Sequence, residues 1–447
     1  MGLQVEKMAL KIVLANIWSD KNLGDHFIAR GIAQMITDTG IDIVIEGMSM
    51  FGPNEAIALS SEYHLLGNIL SKINANPIRS SIYDGTKEDK LWKVKQVISV
   101  FSAYFLLLPG PFNLHRNNSQ TTNSSNLLKE ANLLIYTGGN YLTTKYGPKQ
   151  LFELLRLLYP AFAMARGQKH YILLGESIFG LDSHVSRKLL KKALGGSDLL
   201  VVREEDSMIY LEKNKLYDNP ICLPDMAIYL GRTIKIDQAK LESKLFPILG
   251  VSVRPWNFWN EADQSAREER FRSELVDALV RFSTRRNAKI ILVPWTVGPM
   301  SGEDDRKETD KVYSKLISAG LSSEKVEIAR HPSNLEEFVE LYSQFDANLS
   351  VRLHSAIMAS LLGIPSVMVE YQGSKTKGTS RYVGLTDMVL HIDTATSQQL
   401  SEKLDLIFEN YEETKLRVKK SVEAAFNELE KFRDQQLAPY FKALLGD

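Results

Sequence analysis

The chain has almost nothing with which to build a redox or cysteine-held metal centre. Its one cysteine, Cys222, excludes an intramolecular disulfide and a cysteine-rich metal site. No His-Glu pattern at metal-ligand spacing appears, so no metal is expected. There is no excess of charge: Lys+Arg and Asp+Glu both number 54. That balance lacks the basic footprint of a nucleic-acid binder, so no nucleic-acid partner is expected. The apolar run Val97–Leu108 is too short to span a bilayer, which takes about 20 residues. The opening residues, Met1-Gly-Leu-Gln-Val-Glu6, have no charged region leading into an apolar core, so no secretory signal is expected. Glu6 stands where a myristoylation signal needs Ser or Thr. A cytoplasmic protein is the expectation.

What is present is the composition of a soluble globular protein, 44% hydrophobic and 24% charged. A length of 447 residues exceeds one ordinary core, so two domains are expected. Short apolar runs alternate with amphipathic helical stretches in two series, residues 1–235 and 245–400. A polar linker, Gly231–Lys244, lies between them, and 400–447 is helical. Alternation of this kind implies two α/β, doubly wound, parallel-sheet domains. An irregular insert, about 50–130, interrupts the first series. In it, the basic stretch Lys90-Leu-Trp-Lys-Val-Lys95 leads into Val97–Leu108. That segment fits a buried helix, the favoured reading, or a helix making peripheral membrane contact through 90–108. Asn117–Asn126 is a polar, low-complexity loop.

The residues with chemical potential gather at predicted carboxyl ends of strands, where open α/β sheets bind ligands. The richest stretch is Asn348-Leu-Ser-Val-Arg-Leu-His-Ser355, a strand turning into a helix that Gly363 ends. Arg352 and His354 sit in its turn, beside a helix N-terminus that favours an anion. Lys375 and Lys377 follow the next strand, and Arg203 and Arg254 end two others. Asn22-Leu-Gly-Asp25 follows the first strand, with Asp25 as the expected N-cap of a helix beginning at His26. Gly138 and Gly139 follow Ile135-Tyr136, where glycine permits a sharp turn or a close approach to a ligand. Trp295–Asp305 is a loop carrying the acidic pair Asp304-Asp305. Two facing sheet edges of this kind would form an interdomain cleft.

Taken in order, these elements resemble the polysaccharide pyruvyl transferase family, nearest the branch making pyruvylated exopolysaccharide such as colanic acid. Asn22-Leu-Gly-Asp25, Gly175-Glu-Ser-Ile178, Arg203-Glu-Glu-Asp-Ser207, Pro224-Asp-Met-Ala227 and Gly250-Val-Ser-Val-Arg254 carry the likeness with Arg352-Leu-His354. Where the family's glycine turn often has a third glycine, this chain has Asn140. The resemblance implies a glycosyltransferase-B-like fold of two facing Rossmann-like domains. It implies transfer of the pyruvyl group of phosphoenolpyruvate to sugar hydroxyls, leaving a ketal and free phosphate, with no cofactor. The partners are then phosphoenolpyruvate and a glycan acceptor, lipid-linked or nucleotide-linked. By position, the donor-site residues are Arg203, Arg352, Leu353 and Lys375, and His354 is catalytic. One extra residue separates Tyr371 from Lys375, which leaves Lys377 as an alternative. Asn22, Gly24, Asp25, Gly138, Gly139 and Arg254 are acceptor or cleft candidates.

The residue types suit that chemistry. A donor with a carboxylate and a phosphate calls for several cations, and Arg offers bidentate, permanently charged contacts. Ketal formation needs a proton at the donor's methylene carbon, and an imidazole titrates in the right range. Two other functions fit the same architecture. One is a nucleotide-sugar glycosyltransferase with Arg254 and Lys375 on the phosphates. The other is a non-catalytic two-lobed binding protein. Nothing in the sequence specifies an oligomeric state.

Overall fold

A computed structural model describes residues 9–19, 21–50, 72–74, 76, 100, 126–143, 148–181, 183–234, 246–255, 263–298, 302–332, 334–371, 373 and 375–446. The first sheet contains β1 (Leu10–Ile17), β2 (Ile43–Ser49), β3 (Lys72–Asn74), β4 (Leu133–Thr137), β5 (His170–Glu176), β6 (Leu199–Val202) and β7 (Ile221–Cys222). Their spatial order is β3-β2-β1-β4-β5-β6-β7. The second contains β8 (Ile248–Ser252), β9 (Lys289–Leu292), β10 (Val326–Ile328), β11 (Ala347–Ser350), β12 (Ser366–Glu370) and β13 (Val389–His391), in the order β10-β9-β8-β11-β12-β13. Every strand pairing in both sheets is parallel. This is the two-domain α/β architecture expected from the sequence. The strands read as nearly unbroken apolar runs because helices cover both faces. All five residues of β4, for example, are buried.

The longer helices are α1 (Leu23–Thr37), α2 (Pro148–Arg166), α3 (His184–Leu194), α4 (Glu205–Lys213), α5 (Gln264–Arg286), α6 (Asp305–Ser318), α7 (Leu335–Tyr342), α8 (Leu353–Leu361), α9 (Lys375–Tyr382), α10 (Ser397–Glu409), α11 (Tyr411–Phe432) and α12 (Ala438–Leu445). Asp25 is not the cap of α1. The helix begins three residues earlier, because Asn22 takes an extended backbone and its side chain accepts from the Gly24 amide at 3.1 Å. Asp25 lies in the first turn, where its carboxylate accepts from Asn22 Nδ2 at 2.6 Å. The expected linker also begins later, since a 3₁₀ helix, Met226–Arg232, occupies its first positions.

Both sheets reverse direction next to their first strand, between β1 and β4 in one and between β8 and β11 in the other. Such a switch point opens a crevice at the carboxyl ends of the strands. The Asn22 turn follows β1 and the Gly138 turn follows β4. Arg254 follows β8 and Arg352 follows β11. Most of the candidate residues therefore stand at the two switch points.

The domains join through a shared apolar core that runs from β1 and α1 to the helices of the second sheet. Phe27 of α1 packs edge-on against Trp295 and Phe338 of the second domain, with ring centroids 6.0 and 5.2 Å away. The loop before α6 also meets the turn before α1. The Val297 amide donates to the Lys21 carbonyl at 2.9 Å, and Asn22 and Thr296 form an antiparallel bridge. A second apolar cluster covers the other face of the first sheet, and Val100 is buried in it. The rest of 90–108, with its membrane-contact reading, lies outside the described residues, as does the polar loop 117–125. No helix among the described residues is long and apolar enough to cross a membrane.

The C-terminal helices return to the first domain. Phe426 of α11 stacks on Tyr229 of the 3₁₀ helix, with centroids 5.3 Å apart. Arg433 Nη1 donates to the Tyr229 hydroxyl at 2.6 Å, and the Tyr440 hydroxyl of α12 donates to Asp198 at 2.7 Å.

Candidate active site

Asp225 links the two domains at the cleft. It lies just beyond β7, fully buried, and is held by the start of the 3₁₀ helix, where it accepts from the Ala227 amide at 3.0 Å. Its Oδ2 accepts from Arg203 Nη1 at 2.8 Å and lies 3.5 Å from His354 Nε2 of the opposite domain. Burial alone would raise this carboxyl. His354, Arg203 and the Ala227 amide outweigh it and hold Asp225 well below the usual carboxylate range. A first-domain carboxylate thus pairs with an arginine of its own domain and stands beside the imidazole of the other.

Further contacts fix Arg203. Its Nε donates to Ser177 Oγ at 2.7 Å, and Ser177 Oγ donates to Glu204 at 2.9 Å. Glu204 also accepts from the Ser207 hydroxyl. Glu176, at the end of β5, is fully buried, and neither carboxyl oxygen has a hydrogen-bond partner among the described residues. Burial raises its pKa well above the ordinary value, against the pull of Arg203 and with Glu204 adding to the rise.

His354 sits in the first turn of α8, with its imidazole between Asp225 and the Asn22 turn. A methyl group at Gly24 would lie 2.6 Å from His354 Nδ1, so only glycine leaves room for the ring. The expected cleft residues Asn22, Gly24 and Asp25 are therefore brought against the expected catalytic histidine. Gly138 and Gly139 serve another purpose. A side chain on Gly138 would collide with the Gly175 backbone, and one on Gly139 with the Tyr141 ring. The close approach that these glycines allow is internal packing of the first domain.

Arg352 precedes α8. Its Nε and Nη2 grip the buried Asp305 side by side, with Nε 3.0 Å from Oδ2, and Nη2 also donates to the Glu303 carbonyl at 3.1 Å. Asp305 accepts as well from the Trp295 and Thr296 amides at 3.1 and 2.9 Å. This ion pair ties the β11 turn to the loop that meets the first domain. Leu353 opens α8 with its side chain in the core.

The remaining cations surround Tyr371. Arg254 Nη1 donates to the Tyr371 hydroxyl at 2.5 Å, and its guanidinium carbon lies 4.4 Å from the ring centroid. Lys375 Nζ is 4.9 Å from the same centroid. Burial would raise this phenol, but Arg254, Lys375 and Arg352 pull it down to about 7. Lys375 is itself lowered by burial, partly offset by Tyr371, with Arg254 and Arg203 adding to the shift. Lys377 is exposed on α9. The structure thus puts Lys375, not Lys377, among the other cations.

Four partners lie in stretches that the sequence singled out but were not among its candidate site residues: Asp225, Ser177, Asp305 and Tyr371. Asp225 had a signal as an acid just beyond a strand, and Asp305 had one as half of an acidic pair in a strand-to-helix loop. No local pattern connects Ser177 to Arg203. Tyr371 reads as an ordinary strand-end aromatic until Arg254, 117 positions earlier, lies against it. No group of His, Cys, Asp or Glu suited to a metal ion occurs among the described residues.

Two facing Rossmann-like domains, with cations and an imidazole at their switch points, define a fold of the glycosyltransferase-B type. Residues 22–373 match the polysaccharide pyruvyl transferase family, and the chain belongs to it. It is similar to the amylovoran biosynthesis protein AmsJ of Erwinia amylovora, with 22% identity over 427 residues, covering 93% of this chain and 96% of that protein. The fold is also that of a glycosyltransferase from Rickettsia africae, with TM-score 0.57, 10% identity, and 98% and 99% of the two chains covered. It is shared with the UDP-GlcNAc 2-epimerase of Neisseria meningitidis, with TM-score 0.56, 10% identity, and 96% and 100% covered. At such identity these two likenesses concern the fold alone.

Proposed function

We propose that the protein transfers the pyruvyl group of phosphoenolpyruvate to two hydroxyls of a sugar in an exopolysaccharide precursor, forming a cyclic ketal and releasing phosphate. One observation carries this reading: Arg203, Arg254, Arg352 and Lys375 converge from both domains on a cleft that also holds His354. A donor with a carboxylate and a phosphate needs several cations in one place. Family membership and the likeness to an amylovoran biosynthesis protein support the reaction class and the exopolysaccharide setting.

In this reading Arg254 and Lys375 take the anionic groups of the donor, and Arg203 and Arg352 fix the frame around them. Asp225 stands 3.5 Å from His354 Nε2 and sets the ring at the cleft. The imidazolium protonates the methylene carbon while a sugar hydroxyl attacks the neighbouring carbon. The acceptor is still lipid-linked and is met at the inner face of the membrane, which makes this a cytoplasmic enzyme.

The test is incubation with phosphoenolpyruvate and lipid-linked or nucleotide-linked glycans, reading phosphate release together with a gain in glycan mass. Phosphoenolpyruvate should raise the melting temperature strongly and sugar nucleotides weakly, since a ligand that binds only the folded state stabilises it. The reverse order would favour a nucleotide-sugar glycosyltransferase. Salt-sensitive co-sedimentation with anionic liposomes, lost on replacing Phe101 and Phe105 with Ser, tests the membrane site.

A further inference from the structure

We propose that Tyr371 is the proton acceptor for the attacking sugar hydroxyl, and that it later returns this proton to the departing phosphate. The inference rests on the phosphoenolpyruvate reading and assigns a proton role to Tyr371, which the family resemblance used only to locate Lys375.

The geometry around the phenol points to an anion. Arg254 arrives from the end of β8, Lys375 from α9 and Arg352 from the end of β11. The nearby carboxyls are otherwise engaged. Asp305 is bound by Arg352 and two backbone amides. Glu303, in the loop before α6, is itself raised by burial, against the pull of Arg352 and Arg254 and with Asp25 and Asp305 adding. Glu370, next in the chain, accepts from the Lys377 amide at 3.3 Å. Among the described residues no carboxylate pairs with Arg254 or Lys375. Two half-buried cations with no carboxylate in salt-bridge contact gain from a counter-charge beside them, and a phenolate supplies one. The depression of Tyr371 to about 7, from an ordinary value of about 10, agrees with this arrangement. Tyr371 and His354 stand beyond the neighbouring strands β12 and β11, so a base and an acid face one mouth.

The proton balance closes over one turnover. In the resting state Tyr371 is a phenolate and His354 an imidazolium. The first sugar hydroxyl gives its proton to Tyr371, and its oxygen bonds to the donor carbon that carries the phosphate. The electron pair of the double bond takes the His354 proton, turning the methylene into a methyl group. Next, the carbon–oxygen bond to phosphate breaks, with its electron pair going to phosphate, which takes the proton from the Tyr371 phenol. The second sugar hydroxyl closes the ketal and gives its proton to the now neutral His354. Both residues return to their starting states.

The test combines ultraviolet difference titration of tyrosinate with turnover for the parent protein and Tyr371→Phe, which keeps the ring but removes the oxygen. The parent should show a tyrosinate signal that develops around pH 7 and is absent from the variant. Tyr371→Phe should lose turnover about 10²-fold or more, and with it the rise in kcat/KM as pH increases through about 7. Arg254→Gln should move the tyrosinate signal upward by about one unit or more. A signal that appears only near the ordinary phenol value, no shift in Arg254→Gln, or near-parental turnover in a folded Tyr371→Phe variant would each overturn the proton role. If the parent releases no phosphate from phosphoenolpyruvate with any acceptor, the donor reading falls and this role with it. Normal release with an ordinary phenol removes the role alone.

Discussion

On the first domain's wall of the cleft, Arg203 meets Asp225 at 2.8 Å and Glu204 at 3.7 Å, and both carboxylates are buried with it. On the second domain's wall, Arg254 and Lys375 meet the face of a phenol and pair with no carboxylate among the described residues. Arg352 lies between these cases, since its Asp305 partner occupies one edge of the guanidinium. The walls therefore differ in what they can offer a ligand. A cation already paired inside the protein serves chiefly as scaffold. One whose charge is unmatched gains most from an incoming anion. Arginines that look equivalent at strand ends divide by their neighbours into those already paired within the fold and those left open to an incoming anion.

The comparison breaks most severely if Asp225 is dispensable. Asp225→Asn leaves Arg203 buried with less counter-charge and loosens His354, at a cost of about 3–5 kcal/mol of stability. Because the folded pKa of Asp225 lies below its unfolded value, its contribution is present above the usual carboxylate range and lost as pH falls through the folded pKa. Denaturant melts should show the gap between parent and variant wide at neutral pH and narrowing in acid. A constant gap would contradict the electrostatic account.

The second effect is catalytic. His354→Ala should reduce turnover by about 10²-fold or more, with the melting-temperature rise on phosphoenolpyruvate largely kept. Near-parental turnover would return the imidazole to a packing role. Gly24→Ala comes next. Its methyl group must displace the His354 ring, and a misplaced acid should lower turnover by about 10-fold or more while the fold survives. The mildest comparison sharpens the assignment on the second wall. By calorimetry, Lys375→Ala should weaken donor binding by about 10-fold, the scale of one charge-assisted contact, and Lys377→Ala should leave it unchanged. A larger loss from Lys377 would mean that the exposed lysine is the one that reaches the donor.

Much of this was legible in the sequence because strand-to-helix turns are local. Arg352 and His354 fall at a sheet edge as soon as β11 and α8 are recognised, and the apolar runs leave little choice of strand. The helix start at Asn22 was missed because Asn and Asp are both good caps, and three residues separate them. The pairings were out of reach for a different reason. Asp225 and His354 lie 129 positions apart on different domains, and nothing in either neighbourhood encodes how those domains face each other. The sequence therefore supplies the individual charges, and only the tertiary fold decides which of them are cancelled.

The return of the C-terminal helices has a mechanical meaning. The chain passes between domains once between Ile234 and Phe246, and again where α11 and α12 run back to Tyr229 and Asp198. A body tied to another at one point can swing and twist freely, but a second, separate tether removes most of those motions. The shared core beneath α1 restrains the pair further. Gly24 against His354, Asn22 against Thr296 and Asp225 beside His354 Nε2 all cross from one domain to the other, so any separation of the two would loosen these contacts together.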